Sequence, residues 1–218
     1  MFCGASFIIK NMEDMQRISA VEPQKRKKDR YNIYADGEYI ASLGAEAIVV
    51  YGVKPGAEIA ASVLREAVEK DNAAYAFDCA AAILAHGMRT RADLTRKLGE
   101  RGIGEGAVCA ALDKLESYGY VNDAAYAAEY VRTMRETGTL GRMAVEYKLR
   151  EKGVAASAAA EAMEDYTEED ERDNARRQLA RLARGGDIRE ERRRISAALV
   201  RHGFAYDVIS SLFSEDRE

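Results

Sequence analysis

Apolar and polar residues alternate along the first part of the chain and recur at helical spacing along the rest. The alternation over residues 18–21 and 30–43 predicts β-strands. Asp36-Gly37 interrupts the second stretch and predicts a type I′ hairpin turn, because both residues tolerate positive φ. Two or three strands are not stable alone, so we expect them to pack on short helices near 45–52 and 57–70.

A leucine–glycine motif recurs with a period near fifty residues. In each copy a leucine is followed four positions later by a glycine, which has a cation before it and a branched or aromatic apolar residue after it. The copies run from Leu98 to Ile103, from Leu149 to Val154 and from Leu199 to Phe204, with glycines Gly102, Gly153 and Gly203. Each motif predicts a helix that ends in a left-handed glycine, and the fixed period indicates a supersecondary unit copied in tandem.

The helical pattern after residue 72 divides into three groups of three. Helices are predicted near 73–86, 91–100 and 105–117, then 123–136, 141–152 and 156–165, then 168–184, 187–202 and 205–213. Asn72 is the expected N-cap of the first helix, Thr90 with Asp93 forms a capping box for the second, and Asn122 or Asp123 caps the next repeat. We therefore predict a mainly α fold, with three tandem three-helix repeats in an elongated curved body behind a small N-terminal β-hairpin/α extension. The predicted domains are 1–72 (extension), 73–122 (repeat 1), 123–166 (repeat 2) and 167–218 (repeat 3).

Composition narrows the class of protein. Net charge is −4 with 32% charged residues, which argues against a simple cationic nucleic-acid binder but leaves room for local basic faces. Three widely spaced cysteines without a CxxC pair predict neither disulfides nor a zinc site. The sequence has no membrane span and no signal-peptide core, so we expect a cytoplasmic protein.

The sequence shows no set of residues typical of a catalytic site. His86 and His202, the two histidines, both lie at predicted helix ends. No nucleophile elbow or phosphate-binding loop follows a predicted strand. The acidic run Glu168–Glu171 lacks the alternating ligands of an EF-hand and begins a helix, where negative charge is favourable. We predict no enzyme activity, cofactor or metal.

Basic residues form the candidate binding positions. They lie in the loop between strands and on the second helix of each repeat, so a curved array would display them as a discontinuous stripe toward phosphates or an acidic protein groove. The alternative interpretation is an ordinary solvated helix face. The candidates are Lys25, Arg26, Lys27, Lys28, Arg30, Arg91, Arg96, Lys97, Arg142, Lys148, Arg192, Arg193 and Arg194.

Over residues 16–214 the chain resembles the RecX family, regulators of the RecA recombinase. The resemblance rests on the three leucine–glycine motifs, the segment from Arg89 to Leu94, and the junction Gly119-Tyr120-Val121-Asn122-Asp123. The family usually has an acid where Asn122 stands and often has arginine at His86 or Gly87.

This resemblance implies a non-enzymatic protein, and we expect it to be a monomer. It would bind RecA filaments along their groove and modulate, chiefly by inhibition, RecA ATP hydrolysis and strand exchange in DNA repair and the SOS response. The alternative is a direct DNA-binding protein that uses its basic helices on single- or double-stranded DNA.

Overall fold

The computed structural model describes residues 15–25, 29–183 and 190–215, which form four strands and ten helices. Strands β1–β3 are Met15–Pro23, Arg30–Ala35 and Glu38–Gly44, followed by α1 (Ala45–Val50), β4 (Glu58–Ala60) and α2 (Ala61–Leu84). The remaining helices are α3 (Arg91–Glu100), α4 (Glu105–Ser117), α5 (Asp123–Thr137), α6 (Arg142–Glu151), α7 (Ala156–Glu164), α8 (Glu168–Ala183), α9 (Arg192–Arg201) and α10 (Tyr206–Glu215). The predicted mainly α fold with a small N-terminal sheet is confirmed.

The chain divides into two compact units. The first comprises the chain up to Gly87 together with Leu94–Tyr120, and the second comprises Met88–Asp93 together with the chain from Val121 onward. Because the division passes through α3, the first residues of that helix belong to the second unit and the rest to the first.

The N-terminal sheet is antiparallel, with strand order β3-β2-β1-β4. Asp36 and Gly37 have φ values of 51° and 85°, and they connect the paired residues Ala35 and Glu38, which confirms the predicted two-residue hairpin turn. Strand β4 was not expected, because three residues are too few to show a period in the sequence. Ile33 and Leu43 are fully buried against Leu64 of α2, so the sheet gains its stability by packing on a helix.

Helix α2 differs from its prediction. We expected one helix to end near residue 70 and another to begin after an N-cap at Asn72, but a single helix runs without a break from Ala61 to Leu84. This stretch contains neither glycine nor proline and is rich in alanine, so nothing in it stops a helix. Asn72 instead accepts a 3.2 Å hydrogen bond from the Arg30 guanidinium. The domain limits at residues 72, 122 and 166 stay predictions, and α2 passes through the first of them.

The other helices follow the sequence closely. Seven of the later helices lie within two residues of their predicted bounds, while α9 begins at Arg192 rather than near 187. In the second unit α5 packs on α7, and α8 packs on α9 and α10. The buried side chain of Asn174 on α8 links the two sets of helices by hydrogen bonds. It donates to the Tyr166 hydroxyl after α7 and to the Met134 carbonyl of α5, at 3.1 and 3.2 Å. Burial raises the pKa of Tyr166, whose hydroxyl donates to the Leu140 carbonyl at 3.1 Å.

Candidate interaction surfaces

The three repeat glycines are left-handed helix ends, as predicted. Their φ values are 77° at Gly102, 76° at Gly153 and 81° at Gly203. In each copy the N–H of the apolar residue after the glycine donates to the carbonyl of the motif leucine, at 3.1–3.3 Å across the three turns. This pattern satisfies carbonyl groups that a helix end otherwise leaves without a partner.

A fourth member of the series lies in the N-terminal extension, and the sequence prediction missed it. Gly52 has φ 63° and ends α1, and the Val53 N–H donates to the Ile48 carbonyl at 2.9 Å. Gly52 precedes Gly102 by 50 residues, so it fits the period of the other glycines. The signal was present in the sequence, but isoleucine takes the place of leucine and tyrosine the place of the cation.

The Gly153 turn is packed against the start of another helix of the repeat array. The hydroxyl of Thr90, just before α3, donates to the Lys152 carbonyl at 2.7 Å. A Cβ atom added to Gly153 would collide with the Cβ of Ala92. All four residues belong to the second unit. Glycine is therefore required here for its backbone angle and for this close approach.

The Gly203 turn repeats this arrangement with the start of α6. The Gly141 N–H donates to the His202 carbonyl at 2.9 Å, and the Met143 N–H donates to the Gly203 carbonyl at 3.2 Å. A Cβ atom on Gly203 would collide with Ala144, and one on Gly141 would collide with the backbone of Gly203 and Phe204. Two glycine turns thus hold the first turn of the corresponding helix from the preceding repeat.

Acidic side chains from distant parts of the sequence cap the starts of helices α1, α3 and α6. The Asp71 carboxylate accepts from the Gly44 N–H at the start of α1 at 2.9 Å. Asp123 accepts from the Arg91 N–H at the start of α3 at 2.8 Å. The buried Glu171 accepts from the first N–H of α6, at Arg142, at 3.3 Å, and from the Ala205 N–H at 3.4 Å. The sequence predicts Asp123 only as a local cap, because these partners are distant along the chain.

Arg30 was predicted as a binding residue, and its position corrects that interpretation. The residue is 8% exposed, and its guanidinium lies 3.0 Å from the Asp71 carboxylate and 4.5 Å from the centre of the Tyr75 ring. It also donates to the Ser42 carbonyl at 3.2 Å. Arg30 therefore joins the sheet to α2 and presents no free cation to a partner.

Two further predicted cations bind helix ends inside their own unit. The Arg142 guanidinium donates to the carbonyls of Met163 and Tyr166, at 3.3 and 3.0 Å, where α7 ends. The Arg194 guanidinium donates to the Leu182 carbonyl in the last turn of α8 at 2.9 Å. Both contacts place positive charge at the negative end of a helix dipole, so these arginines support the fold.

The remaining candidate cations within the described residues are exposed or half-buried, and their contacts differ. Arg96 pairs with Glu100 at 2.6 Å, and Lys148 pairs with Glu151 at 2.8 Å, which raises the pKa of Lys148. Arg192 lies over the Phe213 ring, 4.9 Å from its centre. Arg91 and Lys97 are half-buried, and Lys25 and Arg193 are exposed. Arg26, Lys27 and Lys28 lie outside the described residues.

An exposed aromatic cluster lies on the first unit, and the sequence prediction missed it. It consists of Phe77 on α2 with Lys114, Tyr118 and Tyr120 at the end of α4. The Tyr118 ring meets those of Phe77 and Tyr120 edge to face at 6.3 Å, and the Lys114 ammonium lies 5.2 Å from the Phe77 ring centre. Tyr118 and Tyr120 are 57% and 66% exposed. Such aromatic side chains are enriched at protein interfaces.

The acidic run at the start of α8 has the structural role predicted for it. Asp170 accepts from the Thr167 N–H at 2.9 Å, and the Asp170 N–H donates to the Thr167 hydroxyl at 3.1 Å. The two residues therefore form a capping box.

Within the described ranges, no cluster of three or more His, Cys, Asp or Glu residues is arranged to hold a metal ion. No helix there is both long and apolar enough to cross a membrane.

Comparison with protein-family models identifies the family to which this fold belongs. The RecX N-terminal domain model matches residues 16–60, the model of the first three-helix RecX domain matches 76–115, and that of the second matches 122–163. The regulatory protein RecX of Limosilactobacillus reuteri is 32% identical over 204 residues, which cover 92% of this chain and 77% of the relative. The chain belongs to the RecX family. RecX of Clostridium acetobutylicum is 29% identical over 91% of this chain and 97% of its own.

Solved RecX structures have the same fold. A crystal structure of regulatory protein RecX superposes with a TM-score of 0.62 at 30% identity, covering 90% of this chain and 97% of its own. RecX from Lactobacillus salivarius superposes with a TM-score of 0.57 at 28% identity, covering 67% of this chain and 97% of its own. The family resemblance predicted from the leucine–glycine motifs is thus confirmed.

Proposed function

We propose that this RecX-family protein binds RecA nucleoprotein filaments and modulates, chiefly by inhibition, RecA ATP hydrolysis and strand exchange in the cytoplasm. Membership of the RecX family carries the proposal, because the family is named for regulation and the resemblance implies RecA as its target. The protein acts by binding rather than by catalysis of its own, and it works as a monomer.

The exposed aromatic cluster of the first unit supports the proposal that the partner is a protein. The aromatic cluster exposes two tyrosines beside a lysine, and interface energy concentrates in such aromatic anchors. The predicted alternative, direct DNA binding through the basic helices, is less well supported. On these helices, Arg142 and Arg194 bind groups of their own unit, and Arg96 and Lys148 face carboxylates.

The test adds the purified protein to RecA assembled on single-stranded DNA and follows ATP hydrolysis and strand exchange. We expect both activities to fall as the protein approaches the number of filament sites. Binding to DNA alone should disappear as salt rises while binding to the filament persists, since phosphate contacts are strongly salt-dependent. If neither RecA activity changes at a several-fold excess, the proposal is wrong. If the filament effect and DNA binding vanish at the same salt, direct DNA binding is favoured.

Variants of the aromatic cluster show whether it contributes to this contact. Tyr118→Ala and Tyr120→Ala should each weaken filament binding at least several-fold, because truncated aromatic anchors cost more than their neighbours. Tyr206→Ala is the matched control, since Tyr206 is 80% exposed but lies on α10, outside the cluster. Equal effects of all three substitutions would remove the cluster from the proposed interface.

A further inference from the structure

The ammonium of Lys114 is held by aromatic rings, and no salt bridge joins it to a carboxylate of the described residues. It lies 5.2 Å from the centre of the Phe77 ring and 5.9 Å from that of the Tyr118 ring, and the lysine is exposed. Lys70, another exposed lysine of the first unit, pairs instead with Glu66 four residues away, at 2.6 Å. The positions three and four residues from Lys114 hold alanine, serine and tyrosine, so α4 offers it no such acid.

The rings hold this cation in place and leave its charge available. A ring face attracts an ammonium group and restrains a side chain that otherwise samples many rotamers. A carboxylate would neutralise the charge, whereas the rings leave it and the ammonium N–H donors on the open side unused. Lys114 is therefore a prearranged positive charge, and an acidic partner would lose less conformational entropy in pairing with it than with a free lysine.

Tyr120 is exposed at a position that comparable glycine turns bury. Gly119 has φ 76°, and the Tyr120 N–H donates to the Leu115 carbonyl at 2.9 Å, as in the leucine–glycine motifs. The corresponding residues of the second and third motifs, Val154 and Phe204, are 5% and 2% exposed, whereas Tyr120 is 66% exposed. Most of the apolar surface of this ring is thus open to a partner, beside the charge of the lysine.

The charges around the aromatic cluster favour a single carboxylate over a nucleic acid. Helix α4 carries Glu105, Asp113 and Glu116 against this one lysine. Residues 71–84 of α2, the helix that packs on α4, include two aspartates and no lysine or arginine. A nucleic-acid strand brings a phosphate at every nucleotide and binds through several cations, so one cation among acids suits it poorly.

We propose that the aromatic cluster binds an Asp or Glu side chain of a partner protein together with an apolar side chain next to it. The carboxylate pairs with the Lys114 ammonium, and the apolar neighbour packs on the exposed rings of Tyr118 and Tyr120. The identity of the partner rests on the proposed function, which makes it a subunit of the RecA filament. The cluster then selects its contact by charge as well as by apolar area.

The decisive variant is Lys114→Met, because methionine keeps an unbranched apolar side chain against Phe77 while it removes the charge. Lys114→Arg keeps the charge, and a guanidinium can stack on the same rings. Lys70→Met is the matched control, since it removes one exposed helical lysine of the same unit whose surface ion pair contributes little stability. Circular dichroism and thermal melting establish that all three variants are folded.

We expect Lys114→Met to bind RecA filaments on single-stranded DNA about tenfold more weakly than the parent chain, while Lys114→Arg and Lys70→Met bind normally. Affinity for bare single-stranded DNA should be the same in Lys114→Met and the parent chain. Unchanged filament binding by Lys114→Met, or an equal loss in Lys114→Arg or Lys70→Met, overturns the inference alone. An equal loss on bare DNA overturns it too and makes nucleic acid the ligand. Failure of the parent chain to bind filaments overturns the proposed function and this choice of partner together.

Carbodiimide coupling on the filament tests the carboxylate directly, because the reagent joins a lysine amine to a carboxylate in contact with it. The parent chain should give an amide crosslink between Lys114 and an Asp or Glu of RecA, located by mass spectrometry. Lys114→Arg should bind without this crosslink, since the guanidinium does not couple. If the bound parent chain forms no crosslink from Lys114 to RecA, a carboxylate is not its ligand.

Discussion

Asp123 accepts a 2.8 Å hydrogen bond from the backbone N–H of Arg91, so a side chain at the start of α5 satisfies the first N–H of α3. The first N–H groups of a helix have no partner within the helix, and a carboxylate there also interacts favourably with the dipole. Asp71 and Glu171 serve the starts of α1 and α6 in the same way. The acids thus lie 52 and 48 residues apart and follow the period of the glycines.

Removal of this carboxylate should destabilise the protein. We expect Asp123→Ala to lower the free energy of unfolding by about 1–2 kcal/mol, the usual cost of a lost N-terminal cap. Glu105→Ala is the control, because Glu105 is also the first residue of its own helix, α4, and its loss removes the same local dipole interaction. Urea denaturation followed by circular dichroism measures both. Equal losses would mean that the bond to Arg91 adds nothing.

Gly141 should be intolerant of even one methyl group. A Cβ there would collide with the Gly203 carbonyl and the Phe204 Cα, so Gly141→Ala should cost about 2 kcal/mol or more as the backbones separate. Gly104→Ala shares the N-cap position and extended backbone but has open space, so it reports the ordinary cost of alanine at a cap. Melting temperatures of the two variants give the comparison, and a similar decrease in both would contradict the close approach.

The repeat glycines should differ from one another when substituted. Gly102→Val should cost roughly 1–2 kcal/mol, because a β-branched residue resists positive φ. Gly153→Val should cost clearly more, since its Cβ also collides with Ala92. Chemical denaturation of both variants separates backbone strain from steric contact. If the two losses are the same, the Gly153 turn is not packed against the start of α3.

The capping box of α8 should contribute a pH-dependent stability. Burial pushes the pKa of Asp170 upward, but the hydrogen bonds from Thr167, together with the charge of Arg135, outweigh it and lower the pKa below its ordinary value of 3.8. A lowered folded-state pKa stabilises the protein above about pH 4, and this stability is lost as the pH falls through the lowered value.

Asp170→Asn should therefore reduce stability by about 1 kcal/mol at pH 7 and flatten the loss of stability below pH 4. Asp173→Asn serves as the control, because Asp173 lies on the same helix but pairs with Arg176 at the surface. Melting temperatures between pH 2.5 and pH 7 are the measurement. An acid-induced decrease that is identical in Asp170→Asn and the parent chain would contradict this role.

Local signals account for what could be predicted. Asp36-Gly37 specifies its turn because both residues accept positive φ, and each repeat glycine stops its helix for the same reason. Asn122 accepts the Ala125 N–H at 2.9 Å, as expected of an N-cap. The prediction failed at Asn72, because the alanine-rich stretch around it contains no glycine or proline to stop α2, and the Asn72 side chain instead accepts a hydrogen bond from Arg30, which is distant in sequence.

The sequence by itself determined the helix ends and the hairpin, because each depends on residues within a few positions of one another. It also determined the fifty-residue period and the family, because these follow from the recurrence of such local motifs along the chain. Only the tertiary structure decided which contacts those elements make. It buries Arg30 against Asp71, directs Arg142 to the end of α7, and seats helix starts on the Gly153 and Gly203 turns. These outcomes depend on which groups distant in sequence come into contact. Neither the charge of a residue nor its spacing along the chain specifies that contact.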